Sequence, residues 1–508
     1  MSSNKTIAKN TLFLYFRMLL VMGVSLFTSR IVLKELGVSD YGVYSLVGGI
    51  VAMFGFFNAA MSSATQRYLS FDIGKGDVAQ LRKTFSAVLT IHAGIAVLVL
   101  ILAESIGLWY VNYKMVFPPE RSFAVNVVYQ FSVAASLLAI IQVPYNALII
   151  ARERMNVYAY VSILEVSLKL IIVFLLMYFG SDKLITYAIL TFGVSLIIRI
   201  IYQVYCRKQF VESHYRFEYD KAYYKELVAY SSWNLFGNIA AVARSQGNNV
   251  VLNLFFGVVA NAAYGITVIV QGAISSFITN FQVAVNPQIT KDFAKGELKS
   301  MEKLINQASK FSFLMALLLV SPVLLNLDFI LKTWLVNPPQ YAIEMISVCL
   351  LCLLVDTLSG PLMTGIQATG KIKTYQLVVG FLVFVNLPIS YLFFRLKIAD
   401  SPDLIYKVWL GISIISLFFR LYYIKKALSF NVSVFLKEVL AKVVLVAVFS
   451  LILNYTFDII FKEKNLLIVG LETLIYLSLL VGFIYFLVLN NNEKQFVLQL
   501  KNKIIPAK

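Results

Sequence analysis

The residues of this chain that could do chemistry are charged side chains inside long apolar stretches. Arg17 lies about two turns into the first stretch, and Arg244 lies deeper in a later one. A charge at the centre of a membrane-spanning helix costs about 2.5–3.5 kcal/mol on insertion scales, so it usually faces a cavity or a partner. The two arginines are therefore candidate ligands for an anion, with one alternative: Arg17 extends to the lipid headgroups instead.

Amide side chains accompany the second arginine at helical spacing. Asn234, Asn238 and Asn249 fall within an arc of about 60° on one helix, with Asn248 and Arg244 beside it. Such a stripe predicts either a ligand-binding face or a face that hydrogen-bonds to neighbouring helices.

Other charges lie at span ends or in pairs. Arg30 and Arg67 stand at span ends, where an arginine is an interface anchor or a ligand. Glu165 and Lys169 are four residues apart, a spacing at which they pair and lower each other's insertion cost. They are a structural pair or candidates for coupling transport to an ion. Asp356, the deepest lone acid, could exchange protons, bind a cation or hydrogen-bond near a helix break.

Prolines interrupt two apolar stretches at matching places. Pro144 stands in one stretch, and Gly360-Pro361 stands in another. Proline removes a backbone hydrogen bond and bends a helix, so we expect these residues to act as hinges or to shape helix packing.

No sequence pattern of an enzyme stands out. The run Gly74–Asp77 lacks the spacing and hydroxyl residue of a phosphate-binding loop, and neither His92 nor His214 has a neighbour at metal-ligand spacing. We therefore expect no catalytic residue, no metal and no cofactor. Direct coupling to ATP is therefore not expected, and Asp356 is a residue through which a proton or sodium gradient could act.

These residues lie in a chain that contains an internal sequence repeat. Gly257-Val258 lies 220 residues after Gly37-Val38, and Asp292 lies 220 residues after Asp72. Pro338-Pro339 repeats Pro118-Pro119 at the same offset. A fixed offset is the signature of an internal repeat.

Composition places this repeat in a membrane. The 508 residues are 59% hydrophobic and 14% charged, and apolar runs of about 20 residues recur throughout. We predict an all-α polytopic membrane protein with about fourteen spans. Lys and Arg concentrate in alternate connecting segments, which puts both termini in the cytoplasm. The net charge of +18 is thus a topology signal, and nucleic acid is not an expected partner.

The repeat predicts four segments. Residues 1–206 form a first lobe of six helices, and residues 227–430 form a second one parallel to it. Residues 207–226 form a charged, aromatic linker on the cytoplasmic face, and residues 431–508 add two helices and a short cytoplasmic tail. The outside segments are short, which argues against a polysaccharide polymerase or ligase.

Four runs resemble one family of transporters. They are SRIVLKELGVSDYGVYSLVGGIV, ATQRYLSFDIGKGD, SSWNLFGNIAAVARSQGNNVVLNLFFGVVANAAYGI and NFQVAVNPQITKDFAKGE. These runs are similar to the polysaccharide transporters and O-antigen flippases of the multidrug/oligosaccharidyl-lipid/polysaccharide (MOP) exporter superfamily. The resemblance implies a V-shaped pair of six-helix lobes, as in the MATE transporters, which opens alternately to each side.

The resemblance also implies a cargo. It is an undecaprenyl-diphosphate-linked oligosaccharide, flipped from the inner to the outer leaflet of the bacterial inner membrane. Arg17 and Arg244 then match the phosphate oxygens with their guanidinium groups. Membrane lipids and other polysaccharide-assembly proteins are the implied partners. The rival within the same fold is a multidrug cation exporter of the MATE type, which needs an acid or an aromatic cage for its substrate.

Overall fold

The computed structural model describes residues 3–54, 61, 65, 68–69, 72–73, 76–152, 154–178, 182–217, 220–335, 337–369, 373–491 and 493–494. Within its helices, the side chains of residues 3–17, 155, 158–159, 229–241, 283–284, 287, 291 and 294 lie outside this description.

The described residues are almost entirely helical and contain no strand, which confirms the predicted all-α class. In chain order the helices are α1 (Ser3–Met53), α2 (Val78–Leu102), α3 (Leu108–Tyr113), α4 (Ser122–Ala151), α5 (Met155–Tyr178), α6 (Lys183–Gln209), α7 (Lys221–Ala294), α8 (Leu298–Leu325), α9 (Leu327–Leu335), α10 (Ala342–Thr357), α11 (Ser359–Ala368), α12 (Lys373–Arg395), α13 (Leu404–Leu428), α14 (Val432–Phe435), α15 (Ala441–Ile460) and α16 (Leu466–Phe483). Short 3₁₀ turns span Pro119–Arg121 and Val211–Ser213, and π-helical turns span Ala103–Gly107, Leu436–Leu440 and Ile484–Val488.

Acids and amides start several of these helices. Asp77 accepts a hydrogen bond from the backbone N–H of Gln80, and Asp182 accepts from those at the start of α6. Asn431 and Asn465 cap α14 and α16 in the same way. Each cap satisfies an N–H that has no partner within the helix.

Two pairs of glycines, each pair 220 residues apart, turn the chain in the same way. Gly37 and Gly257 have φ of 76° and 69°, and Gly76 and Gly296 have φ of 73° and 75°. Only glycine adopts this left-handed region at little cost. The sequence repeat thus recurs as a repeat of backbone conformation.

The acids that precede the second pair of glycines are also alike. Asp72 and Asp292 are 5% and 2% exposed. Thr84 Oγ1 donates to Asp72 Oδ2 at 2.5 Å, and Ser300 Oγ donates to Asp292 Oδ2 at 2.8 Å. In both repeats, a buried carboxylate joins the turn to the helix that follows it.

Eleven helices among the described residues are long and apolar enough to cross a membrane. The predicted count of fourteen is not confirmed. One reason is that α7 runs through two predicted spans, 227–255 and 261–285, and bends between them at Gly257. In α1, Gly37 likewise bends a helix that covers the predicted span 10–33 and enters the one at 41–66.

The chain divides into two compact units. Unit 1 comprises residues 1–269, 335–345 and 380–408, and unit 2 comprises residues 270–334, 346–379 and 409–508. In unit 1, an apolar core joins the second limb of α1 to α4 through Leu46, Val47 and Tyr129. This division by compactness is different from the division by sequence repeat, and the predicted lobe boundaries stay predictions.

Candidate functional site

Buried asparagines cluster at one end of unit 1. We call it the outer end, because the charge distribution predicts that it faces away from the cytoplasm. Asn249 and Asn253 lie one turn apart on α7, and Asn261 lies beyond the bend at Gly257. Asn261 Nδ2 donates to Asn249 Oδ1 at 2.7 Å, and Asn253 Nδ2 donates to Asn261 Oδ1 at 3.0 Å. The cluster therefore ties the two limbs of α7 together.

The same asparagines bind the backbone of the first repeat. Asn253 Oδ1 accepts from the N–H of Val116 at 2.8 Å, and Asn253 Nδ2 donates to the carbonyl of Val116 at 3.0 Å. This pair copies the two hydrogen bonds that a neighbouring residue forms in an antiparallel sheet. Asn249 Nδ2 donates to the carbonyl of Ser45 at 3.1 Å. Side-chain hydrogen bonds thus join the two sequence repeats at the outer end of unit 1.

Glycines let the helices of the outer end touch. A β-carbon added to Gly42 would lie 2.0 Å from the carbonyl oxygen of Val258, and one added to Gly265 would lie 3.3 Å from Ser45 Cβ. The hydrogen bonds across this contact contribute only about 0.5–1.5 kcal/mol each. The contact is therefore tight and has no room for a side chain at either glycine.

Ion pairs fasten the outer turns of the first repeat. Arg121 Nε donates to Asp40 at 2.9 Å, and Arg121 Nη1 donates to Asp182 at 2.6 Å. Lys183 Nζ lies 2.6 Å from Glu35. The hydrogen bonds from Arg121 lower the pKa of Asp182, whereas burial raises the pKa of Asp40. Three outer turns of the first repeat are thus held to each other by charge.

Four of the predicted ligand residues lie among the described side chains. Asn249 is buried in the asparagine cluster and binds protein groups. Asn248 is 5% exposed, and its Oδ1 has no hydrogen-bond partner among the described residues. Arg244 and Arg30 are half-buried. The remaining four lie outside the described side chains: Arg17, Arg67, Asn234 and Asn238. Binding of cargo by these residues stays a prediction.

The candidates for ion coupling have protein partners. Asp356 is half-buried in unit 2 and accepts from Trp409 Nε1 at 3.1 Å and from Ser413 Oγ at 2.7 Å. Glu165 and Lys169 form the predicted pair at 2.6 Å, with side chains 39% and 49% exposed. An exposed pair fits the structural interpretation better than an internal ion relay. The coupling role itself stays a prediction.

A helix break stands where the sequence places Gly360-Pro361. Helix α10 ends at Thr357, and α11 begins two residues later. Pro361 has no N–H to donate to the carbonyl of Thr357, four residues before it. Gln282 Nε2 supplies this hydrogen bond instead, at 3.1 Å. A side chain from another helix therefore completes the broken ladder.

The other two hinge candidates differ in their surroundings. Gly360 gives room to the side chain that completes the break, since a β-carbon there would lie 2.3 Å from Gln282 Oε1. Pro144 is buried inside α4, which continues through it. Motion at either place stays a prediction.

Two ion pairs in unit 2, each with a buried carboxylate, were not predicted from the sequence. Lys310 Nζ lies 2.6 Å from Glu493, and both side chains are at most 3% exposed. Lys464 Nζ lies 2.8 Å from Glu472 and 2.9 Å from Asn326 Oδ1. The partners of each pair are far apart in the chain or on different elements, so no local spacing pointed to them.

Among the residues that the structure describes, no three His, Cys, Asp or Glu side chains come together as metal ligands. Cys206, Cys349 and Cys352 are buried, and none of them is in a disulfide.

Known proteins share this fold. The MatE family matches residues 235–392. The lipid II flippase MurJ, in an inward closed conformation, superposes with a TM-score of 0.71 at 13% identity over 94% of this chain and 99% of that chain. An inward-facing multidrug resistance MATE family transporter of the MOP superfamily gives 0.68 at 13% identity over 80% and 95%.

A third structure shows that this fold alone does not name a cargo. It is a MOP superfamily transporter from Pyrococcus furiosus, for which a binding pocket of reverse polarity suggests a different function. Its TM-score is 0.57 at 13% identity, covering 83% of this chain and 96% of that chain. Among curated proteins there is no match. The chain is an integral membrane protein with the fold of the MOP-superfamily transporters, which confirms the superfamily resemblance predicted from its sequence.

Proposed function

We propose that the chain is a flippase for an undecaprenyl-diphosphate-linked oligosaccharide. The observation that carries this proposal is the extent of the likeness to the lipid II flippase, which covers 94% of the chain against 80% for the inward-facing drug transporter. The difference is close to the length of segment 431–508, which adds two helices to the repeat. The cargo would be the repeat unit of an O-antigen, a capsule or another surface polysaccharide.

In the proposed cycle, the cargo enters from the inner leaflet and leaves after the outer end of unit 1 opens. Opening breaks the hydrogen bonds of Asn253 with Val116 and separates Gly265 from Ser45. The diphosphate is bound by Arg17 and Arg244, because guanidinium groups bind phosphate oxygens through paired, charge-assisted hydrogen bonds. No covalent bond of the cargo forms or breaks in this cycle, so the proposed role is that of a transporter and not of an enzyme.

The remaining assignments follow from the charge distribution and the resemblance. The protein lies in the bacterial inner membrane with both termini in the cytoplasm, where other polysaccharide-assembly proteins can dock. A proton or sodium gradient drives the cycle, and Asp356 is the first candidate to bind the ion. Trp409 Nε1 and Ser413 Oγ both donate hydrogen bonds to this carboxylate, which fixes its position beside α13.

A MATE-type drug exporter is the second candidate, because the MatE family matches residues 235–392. A cationic drug site needs an acid or an aromatic cage in its binding face. The first predicted span carries Arg17 and no acid, which disfavours this alternative.

Reconstituted liposomes test the proposal. We would follow a fluorescent short-chain polyprenyl-diphosphate saccharide in parent protein, Arg244→Ala and, as a matched control, Arg207→Ala, whose arginine is exposed at the end of α6. The parent and the control should flip the lipid. Arg244→Ala should be slower by about tenfold or more, the effect of losing charge-assisted hydrogen bonds to phosphate.

Three other outcomes would each contradict a part of the proposal. Equal flipping by Arg244→Ala would remove that arginine from the diphosphate site. A parent that does not flip the lipid but exports a cationic dye would be a drug exporter. Formation of polymer from the lipid-linked saccharide would identify a polymerase.

A further inference from the structure

A polar cavity of about 410 Å³ lies within unit 2, apart from the residues predicted to bind cargo. It is bordered by the first turns of α8, by the segment around α14 and by the chain just after the last π-helical turn. Apart from Val434 and Val439, the lining side chains are charged or amides. We call it the inner cavity, because the charge distribution predicts that these helix ends face the cytoplasm.

One face of α8 supplies a stripe of donors. Lys299, Lys303, Asn306 and Lys310 recur at helical spacing and all line the inner cavity. Lys310 is buried at its base and is neutralised by Glu493 at 2.6 Å. Lys299 and Lys303 are exposed at the mouth, and no ion pair joins either of them to another described residue. Two cationic groups therefore remain available to a ligand.

An acceptor and two carboxylates face the same space. Asn306 is 9% exposed, and its Oδ1 has no hydrogen-bond partner among the described residues. Glu302 accepts only a long hydrogen bond of 3.3 Å from the backbone N–H of Asn431 within that set. Glu438 lies at the rim, paired with Lys442 at 2.6 Å. A buried amide oxygen left without a donor is costly, and a rotation of the Asn306 side chain would turn Oδ1 toward the cavity that this residue lines.

The balance of charge selects the class of ligand. With Lys310 paired to Glu493 and Glu438 paired to Lys442, the lining charges that remain are Lys299, Lys303 and Glu302. A purely cationic ligand would be repelled by the two lysines, and a purely anionic one by Glu302. A ligand that carries both signs fits the lining. The cavity also lies where the predicted spans end, at the depth of the inner-leaflet headgroups.

We propose that the inner cavity binds the headgroup of a zwitterionic phospholipid with a primary ammonium, of the phosphatidylethanolamine type. The phosphate lies against Lys299 and Lys303. The ammonium donates to Asn306 Oδ1 and Glu302. This site is independent of the proposed cargo, because it uses none of the residues assigned to the diphosphate.

Lipid binding to the purified full chain tests the site. Delipidated protein is titrated by native mass spectrometry with short-chain phosphatidylethanolamine, phosphatidylcholine and phosphatidylglycerol. Phosphatidylcholine has no N–H donor, and phosphatidylglycerol has no cation. We expect phosphatidylethanolamine to bind about tenfold or more tightly than either, the effect of one or two charge-assisted hydrogen bonds.

Variants then assign the binding to this cavity. Glu302→Gln and Lys303→Ser should each weaken phosphatidylethanolamine binding, whereas the matched controls Asp328→Asn and Lys332→Ser alter an exposed pair elsewhere and should not. Equal binding of the three lipids by the parent would overturn the proposal. This test does not depend on whether the variants fold. So would a preference for phosphatidylglycerol, or a preference for phosphatidylethanolamine that both cavity variants retain.

Discussion

Asn253 is a side chain that pairs with the backbone of a distant part of the chain. Both polar atoms of its amide bind Val116, and Nδ2 also reaches Asn261. The side chain is 0% exposed, so no water can replace a lost partner without a change in packing. Asn253 thus joins α7 both to the loop at Val116 and, through Asn261, to the helix beyond Gly257.

Replacing this amide should destabilise the closed state. We expect Asn253→Ala to lower the free energy of unfolding by about 1–3 kcal/mol, because it leaves the groups of Val116 and Asn261 unpaired. Thermal unfolding of the purified protein measures the change. Asn112→Ala is the control, since that amide hydrogen-bonds to Asn126 at an exposed site. Equal losses in both variants would contradict a special role for Asn253.

The Asp182 carboxylate gives the outer turns a dependence on pH. Its pKa is lowered chiefly by the hydrogen bonds from Arg121. A carboxyl group whose folded pKa lies below its unfolded pKa stabilises the fold above the unfolded value, and this stabilisation is lost as the pH falls through the folded value. Asp40 has the opposite sign, since burial raises its pKa.

Asp182→Asn should therefore cost about 0.5–2 kcal/mol at neutral pH, a range reduced for the partial exposure of the pair. The difference from the parent should shrink in acid, below the usual carboxyl pKa, as Asp182 of the parent becomes protonated. Melting temperatures of the two proteins across this range give the answer. A penalty that stays constant into acid would show that charge is not its origin.

At the scale of elements, the break between α10 and α11 shows how a proline is accommodated. Pro361 was visible in the sequence, and so was the interruption. The hydrogen bond that replaces the missing one could not be predicted, because Gln282 lies on another helix and nothing in the spacing of residues brings it to Thr357. A proline predicts which carbonyl loses its donor, here that of Thr357, but only the packing of helices shows what replaces it.

A pair of substitutions tests this compensation. Gln282→Leu should destabilise the protein by about 1–3 kcal/mol, because the carbonyl of Thr357 loses its donor. Pro361→Ala restores a backbone N–H at that place, so the same Gln282→Leu change should cost less in the Pro361→Ala background. Equal costs in the two backgrounds, measured by thermal unfolding, would mean that Gln282 stabilises through other contacts.

Glycine positions explain both the success and the failure of the sequence analysis at this scale. Gly37 and Gly257 marked the repeat, and they adopt matching left-handed conformations. The stripe of asparagines on α7 was predicted for a straight helix, but α7 bends at Gly257. Asn261 lies beyond Gly257 and Asn253 binds a loop, so neither could be placed by helical periodicity.

At the scale of the molecule, the sequence predicted two helices beyond the repeat but not how they are attached. In unit 2, Lys310 of α8 binds Glu493 near the end of the described chain. Asn326, the residue after α8, binds Lys464. These pairs join residues that are remote in sequence. Composition predicts a charge inside a span, but the identity of its partner depends on the tertiary fold.

The buried pair should behave differently when one or both charges are removed. Lys310→Met leaves the carboxylate of Glu493 buried without its cation, at a cost of about 3–5 kcal/mol. Lys310→Met with Glu493→Gln removes both charges and should recover much of this loss. Thermal unfolding of the parent, the single variant and the double variant compares the two. A double variant less stable than the single one would contradict a simple ion pair.

We propose that the chain moves a lipid-linked saccharide by opening and closing the outer end. The most direct measurement is flipping by a Ser45→Cys, Gly265→Cys double variant in liposomes, before and after oxidation. A β-carbon added to Gly265 would lie 3.3 Å from Ser45 Cβ, close to the range of about 3.5–4.5 Å for a disulfide. The natural cysteines are buried, and the single variants control for oxidation. We predict that oxidation stops flipping and that a reductant restores it. A cross-linked protein that flips as fast as the protein without the disulfide would contradict alternating access through this end.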